Sequence, residues 1–138
     1  MNKKVLDFLK NLGINIDSDP ILKILLKESS LTETQLETLL LEIASKFNGN
    51  NGRERIDMGF RASLRGVSKG AYARTKTQAL NNIRKSICTL LLLRYIGVIN
   101  DDLASLIFEL ADRLRERDIE RSINMIRYVI ECDITRTG

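Results

Sequence analysis

One face of a predicted helix over residues 69–96 carries polar and basic side chains that can form directed hydrogen bonds. They are Arg74, Gln78, Asn81 and Lys85. At about 100° per residue they fall within roughly 60° of one another, opposite an apolar stripe. Arginine, glutamine and asparagine can bind base edges in bidentate fashion, and lysine suits phosphate. The alternative is an ordinary solvated helix face, but such faces usually mix acidic with basic residues. No acid occurs between residues 58 and 100, which favours a binding face.

The positive charge of the chain is concentrated around this helix. Residues 53–85 contain nine Lys or Arg and two acids, a net charge of +7, whereas the whole chain has +4. Residues 1–52 sum to −1 and residues 86–138 to −2. Clustered charge of one sign indicates a polyanionic partner, and the alternative is a basic surface without a partner. The residues predicted to bind nucleic acid are Arg61, Arg65, Ser68, Lys69, Arg74, Thr77, Gln78, Asn81, Arg84 and Lys85.

The remaining periodicity predicts helices throughout the chain. With 138 residues, 43% of them hydrophobic, we expect one all-α domain of about six helices. It comprises N-terminal helices over 1–47, a basic helix–turn–helix with a long helix over 53–97, and a helical pair over 100–133. Leu36, Leu39, Leu40, Ile43 and Phe47 mark the predicted buried face of the third helix. The apolar run from Ile87 to Ile96 predicts that the long helix is the central element of the core.

Residues 54–65 can form a short amphipathic helix, which Gly66 ends and Ser68 follows as the cap of the next helix. The run GVSKGAYARTKTQALNNI resembles helix–turn–helix DNA-binding proteins related to region 4 of bacterial sigma factors, over residues 60–84 only. The resemblance implies that the helix after Ser68 is a recognition helix. The sequence departs from the family pattern at Arg61 and Arg65, where small or apolar residues usually pack, and at Lys76, where an aliphatic residue is usual.

Enzymatic chemistry has little support in this sequence. The chain has no histidine, the commonest general base and metal ligand. Helix capping and ion pairs explain its clustered carboxylates, although a metal-dependent nuclease built from them is an alternative. These carboxylates are Asp101, Asp102, Asp112, Glu116, Asp118 and Glu120. We therefore predict a non-enzymatic protein without cofactor, metal or small-molecule substrate.

The sequence predicts a duplex-DNA-binding protein, a transcriptional or chromosomal regulator. The alternative is an interaction subunit whose basic face docks an acidic protein or RNA. We expect a cytoplasmic protein without a membrane segment, in which Cys88 and Cys132 are free, mostly buried thiols rather than a disulfide. A homodimer could form through the aliphatic stripes at 103–114 and 119–130, unless the core of the monomer uses both stripes.

Overall fold

The computed structural model describes residues 1–48, 56–116 and 118–131, and all of its regular elements there are α-helices. Seven helices are present in this part of the chain, close to the six expected. They are α1 (Lys3–Asn11), α2 (Pro20–Glu28), α3 (Glu33–Asn48), α4 (Met58–Arg65), α5 (Lys69–Tyr95), α6 (Asp101–Arg115) and α7 (Ile119–Glu131). The all-α class is therefore confirmed.

Local capping chemistry sets the helix boundaries. Asp19 accepts hydrogen bonds from the backbone N–H groups of Ile21 and Leu22, at 2.9 and 3.1 Å, and so begins α2. Thr32 and Gln35 form a reciprocal capping box at α3, with both bonds at 3.2 Å. One boundary differs from its prediction.

Helix α4 begins at Met58, although a helix from residue 54 was predicted. Asp57 has an extended backbone, and its carboxylate accepts a 2.8 Å hydrogen bond from the Phe60 N–H, so it acts as the N-cap. Residues 54 and 55, with the basic Arg53, lie outside the described residues.

The main core lies between α1, α3, α4 and the first half of α5. Its fully or almost fully buried members are Val5, Leu9, Leu41, Ala44, Ala62 and Tyr72. Helix α3 contributes a different face from the one predicted, because Thr38, Leu41 and Ala44 are buried while Ile43 is nearly half exposed. The predicted stripe followed the aliphatic residues, but the face that packs against α5 also contains polar side chains.

The second half of α5 is not the central element of the core, and that prediction was wrong. Its exposed apolar residues, together with the C-cap Ile96, form what we call the α5 ridge: Ile87, Leu90, Leu91, Leu92, Tyr95 and Ile96. Helices α3 and α5 run antiparallel, and the N-terminal end of α3 lies beside Asn82 and Ser86. Helix α3 does not extend beyond this point, so residues 87–95 of α5 continue for about 14 Å past the N-terminal end of α3.

The two C-terminal helices pack against each other, and α2 contacts α7. Leu103, Leu110 and Ile126 are buried, so the core of the monomer uses part of both aliphatic stripes. None of the described helices is long and apolar enough to cross a membrane. Cys88 carries a free but exposed thiol, so the prediction that it is buried was wrong, and Cys132 lies outside the described residues.

Candidate nucleic-acid interface

A three-residue turn joins α4 to α5. Gly66 ends α4 at φ +69°, and the N–H groups of Gly66 and Val67 donate 3.0 Å hydrogen bonds to the carbonyls of Ser63 and Ala62. A Cβ on Gly66 would meet no atom within 4 Å, so the left-handed backbone and not crowding favours glycine. Ser68 then caps α5 as predicted, because its Oγ accepts a 3.1 Å bond from the Ala71 N–H.

A buried polar cluster fixes this helix pair to α3. The Tyr72 hydroxyl donates a 2.9 Å hydrogen bond to Oε1 of Glu42, and Arg61 Nε lies 3.1 Å from the same oxygen. Lys76 Nζ lies 3.2 Å from the other Glu42 oxygen. The Arg61 guanidinium also stands 5.6 Å from the centre of the Tyr72 ring, a cation–π contact. One carboxylate from α3 therefore binds groups of both α4 and α5.

This cluster shifts the titration of two of its members. Burial raises the pKa of Glu42, but the hydrogen bonds from Tyr72 and Lys76, with the charge of Arg61, outweigh it and leave the pKa below its usual value. Burial, and then the hydrogen bond to Glu42 and its negative charge, raise the pKa of the Tyr72 hydroxyl well above its usual range. At neutral pH the cluster therefore holds an ionised carboxylate and a protonated phenol.

Arg65 is also buried beside an acid of α3. Its Nε lies 3.5 Å from Oε2 of Glu37, and its side chain donates a 3.1 Å hydrogen bond to Thr38 Oγ1. The side chains of Arg65 and Glu37 are only 6% and 5% exposed. Arg61 and Arg65 were both predicted to contact nucleic acid, but the structure places their charged groups inside the protein on carboxylates. A phosphate could reach them only by displacing those acids, so both residues leave the candidate interface.

The other eight predicted residues lie on α5 and its cap. All of them are exposed: Ser68, Lys69, Arg74, Thr77, Gln78, Asn81, Arg84 and Lys85. Because α5 is one unbroken helix, Arg74, Gln78, Asn81 and Lys85 share the predicted face, which extends about 17 Å along the axis.

The charges of this exposed set remain available to a partner. Within the described part of the chain, Lys69, Arg74, Arg84 and Lys85 make no ion pair, in contrast to Arg61, Arg65 and Lys76. The aliphatic part of Lys69 passes close to α4, since a Cβ on Gly59 would lie 2.8 Å from Lys69 Cε. Lys69 therefore lies on another side of α5, and we call Arg74, Thr77, Gln78, Asn81, Arg84 and Lys85 the basic face of α5.

Sequence reasoning missed the two acids that bind the buried arginines. Glu37 follows Leu36, and Glu42 lies between Leu41 and Ile43 on α3; neither was part of any predicted site. The signal that could have identified them is the set of departures from the helix–turn–helix pattern. Three cations at positions that usually pack inward need buried acids, because an unpaired buried charge is very costly.

No group of three or more Cys, Asp or Glu residues gathers as a metal site among the described residues. The chain matches no family model, no curated protein and no solved structure.

Proposed function

We propose that the protein binds duplex DNA through the basic face of α5, as a non-enzymatic transcriptional or chromosomal regulator. The observation that carries this proposal is the division of the basic residues into two groups. Arg61 and Arg65 form buried ion pairs with Glu42 and Glu37, and the half-buried Lys76 also pairs with Glu42, whereas the cations of the basic face project into solvent without an ion-pair partner among the described residues. Uncompensated exposed cations attract phosphate and release counterions from DNA.

The residue types on this face fit a major groove, which admits an α-helix. Arg74 and Gln78 lie nearest the start of α5, the part of a recognition helix that usually enters the groove deepest. In this arrangement they contact base edges, with Asn81 one turn further on. Lys85 lies three turns from Arg74 and meets a phosphate.

Duplex DNA is preferred to single-stranded nucleic acid because the basic face offers no stacking platform. Tyr72 is the one aromatic residue between Lys69 and Lys85, and its ring is fully buried in the core. Proteins that bind single strands commonly stack bases on exposed aromatic rings. The basic face has charge and hydrogen-bonding groups without such rings.

Fluorescence anisotropy tests the proposal. Labelled duplex DNA, single-stranded RNA and polyglutamate are titrated with the protein at several salt concentrations. We expect duplex DNA to bind most tightly, with an affinity that falls steeply as salt rises. Arg74→Ala/Lys85→Ala should weaken binding and reduce the slope of log K against log salt by about 0.9 for each phosphate that the variant no longer neutralises.

A charge-matched control separates this site from general basicity. Lys23→Ala/Lys27→Ala removes two exposed cations from α2 and should leave both affinity and slope unchanged. Equal losses in the two double variants would reject the basic face as the docking surface. Binding of polyglutamate or RNA in preference to duplex DNA would support the interaction-subunit hypothesis instead.

A further inference from the structure

The α5 ridge continues into an apolar groove between α5 and α6. The groove has a volume of about 310 Å³ and is lined by Ile87, Leu90, Leu91, Ile99, Ile107 and Phe108, among others. Among the described residues, Arg94 is the one charged side chain in its lining. Its guanidinium binds the carbonyl of Ile99 at 3.1 Å and the carboxylate of Asp101, so it does not make the groove polar.

The exposed apolar area is too large for an ordinary monomer surface. Tyr95 is 89% exposed, Phe108 74% and Leu91 63%. Together with the rest of the ridge they expose on the order of 800 Å² of side-chain surface, whereas the largest apolar patch on a typical monomer is about 300–600 Å². About 800 Å² is also the share that each partner contributes to a standard-size protein interface.

We propose that a second copy of this chain covers this surface, with the α5 ridge of each protomer packed against the ridge and groove of the other about a two-fold axis. An isologous contact of this kind uses the same patch twice, so one apolar surface is sufficient. If the whole ridge and groove are covered, the contact buries on the order of 1,600 Å² in total, the size of a standard interface. This interface differs from the predicted one, because the stripes of α6 and α7 are partly used inside the monomer.

The position of the ridge on α5 supports a second copy as the occupant. The basic face is centred near Gln78 and the ridge near Leu91, which are thirteen residues or about 20 Å apart along one helix. Antiparallel ridges would therefore separate two basic faces by about 40 Å. Half-sites one turn apart on DNA are separated by about 34–36 Å. This spacing argument rests on the proposed function, whereas the area argument does not.

Light scattering and sedimentation equilibrium on the full chain test the dimer. We expect a mass of about twice the monomer's 15.7 kDa at micromolar concentration, and an unfolding temperature that rises with protein concentration. Leu91→Lys/Tyr95→Lys places like charges opposite each other and should raise the dimer dissociation constant by at least about a hundredfold. Ile119→Lys/Tyr128→Lys, which charges two exposed apolar residues of α7, should remain a dimer.

Several results would overturn the proposal. They are a wild-type mass of 15.7 kDa over the whole concentration range, a ridge variant that stays dimeric, or a monomer that uses the ridge to bind phosphatidylcholine vesicles. Circular dichroism establishes that each variant keeps its helices, and the milder Leu91→Ala should also weaken association if the double variant does not fold.

Duplex binding distinguishes the two proposals. A monomeric wild type that still binds duplex through the basic face would overturn the dimer alone. A dimer that binds no duplex would overturn the proposed function alone.

Discussion

Replacing Arg65 by methionine should destabilise the protein by about 3–5 kcal/mol, the cost of leaving the partner of a buried ion pair uncompensated. Methionine keeps the packing of the arginine stem, so the loss comes from the charge and from the hydrogen bond that the guanidinium donates. Glu37, 5% exposed, would lose the cation 3.5 Å away and, among the described residues, keep the Asn2 N–H, 2.6 Å from its other oxygen. Thr38 would lose the donor at 3.1 Å.

Urea denaturation followed by circular dichroism measures this loss, and two variants calibrate it. Arg84→Met makes the same substitution at an exposed arginine of α5 and should change the free energy of unfolding by less than about 0.5 kcal/mol. Arg65→Met/Glu37→Gln removes both charges, while glutamine can still accept from Asn2, so it should recover most of the loss.

The opposite pattern would refute the burial of Arg65. If Arg65→Met stayed within about 1 kcal/mol of the wild type and instead weakened duplex binding with a smaller salt slope, Arg65 would be a phosphate contact after all. Glu37 would then need no cation inside the protein.

Three further predictions concern the carboxylate cluster, the turn and the basic face. Because the folded protein lowers the pKa of Glu42, its contribution to stability is complete above the unfolded value of 4.5 and is lost as the pH falls through the folded pKa. Glu42→Gln should therefore be less stable at pH 7 and lose less stability than the wild type between pH 5 and pH 3 in urea titrations. Gly66→Ala should cost about 1–2 kcal/mol in thermal unfolding, since alanine is strained at φ +69° although no atom blocks its Cβ. Arg74→Ala should cost about 1–3 kcal/mol on a selected preferred duplex and less on random duplex, whereas Lys85→Ala should weaken both equally in competition assays.

Local features of the fold could be predicted from the sequence because neighbouring residues determine them. Asp19 with Pro20, Thr32 with Gln35, and Ser68 each cap a helix within three residues of their own position. The length of α5 and the left-handed backbone at Gly66 also followed from residue type and spacing.

The burial of side chains depended on partners distant in the sequence, which the hydrophobic periodicity does not identify. The positive charges of Arg61 and Arg65 suggested a binding surface. In the fold, however, they pair with Glu42 and Glu37, about twenty to thirty residues earlier in the sequence. The apolar run at the end of α5 indicated burial, yet α3 begins beside Asn82 and Ser86 and runs towards the start of α5, so it does not cover residues 87–95. The exposed residues of the candidate face were predictable because an uninterrupted helix fixes their relative angles.

The carboxylate of Glu42 has a consequence for protein engineering. A fragment limited to α4 and α5 would carry Arg61 and Lys76 without their counter-ion, and the Tyr72 hydroxyl would lose its acceptor. The α4–α5 helix pair therefore cannot be transferred alone to another protein. A chimera that moves this basic helix onto another scaffold must carry α3 with it or replace all three polar groups together, and in the first case the donor segment begins before residue 42.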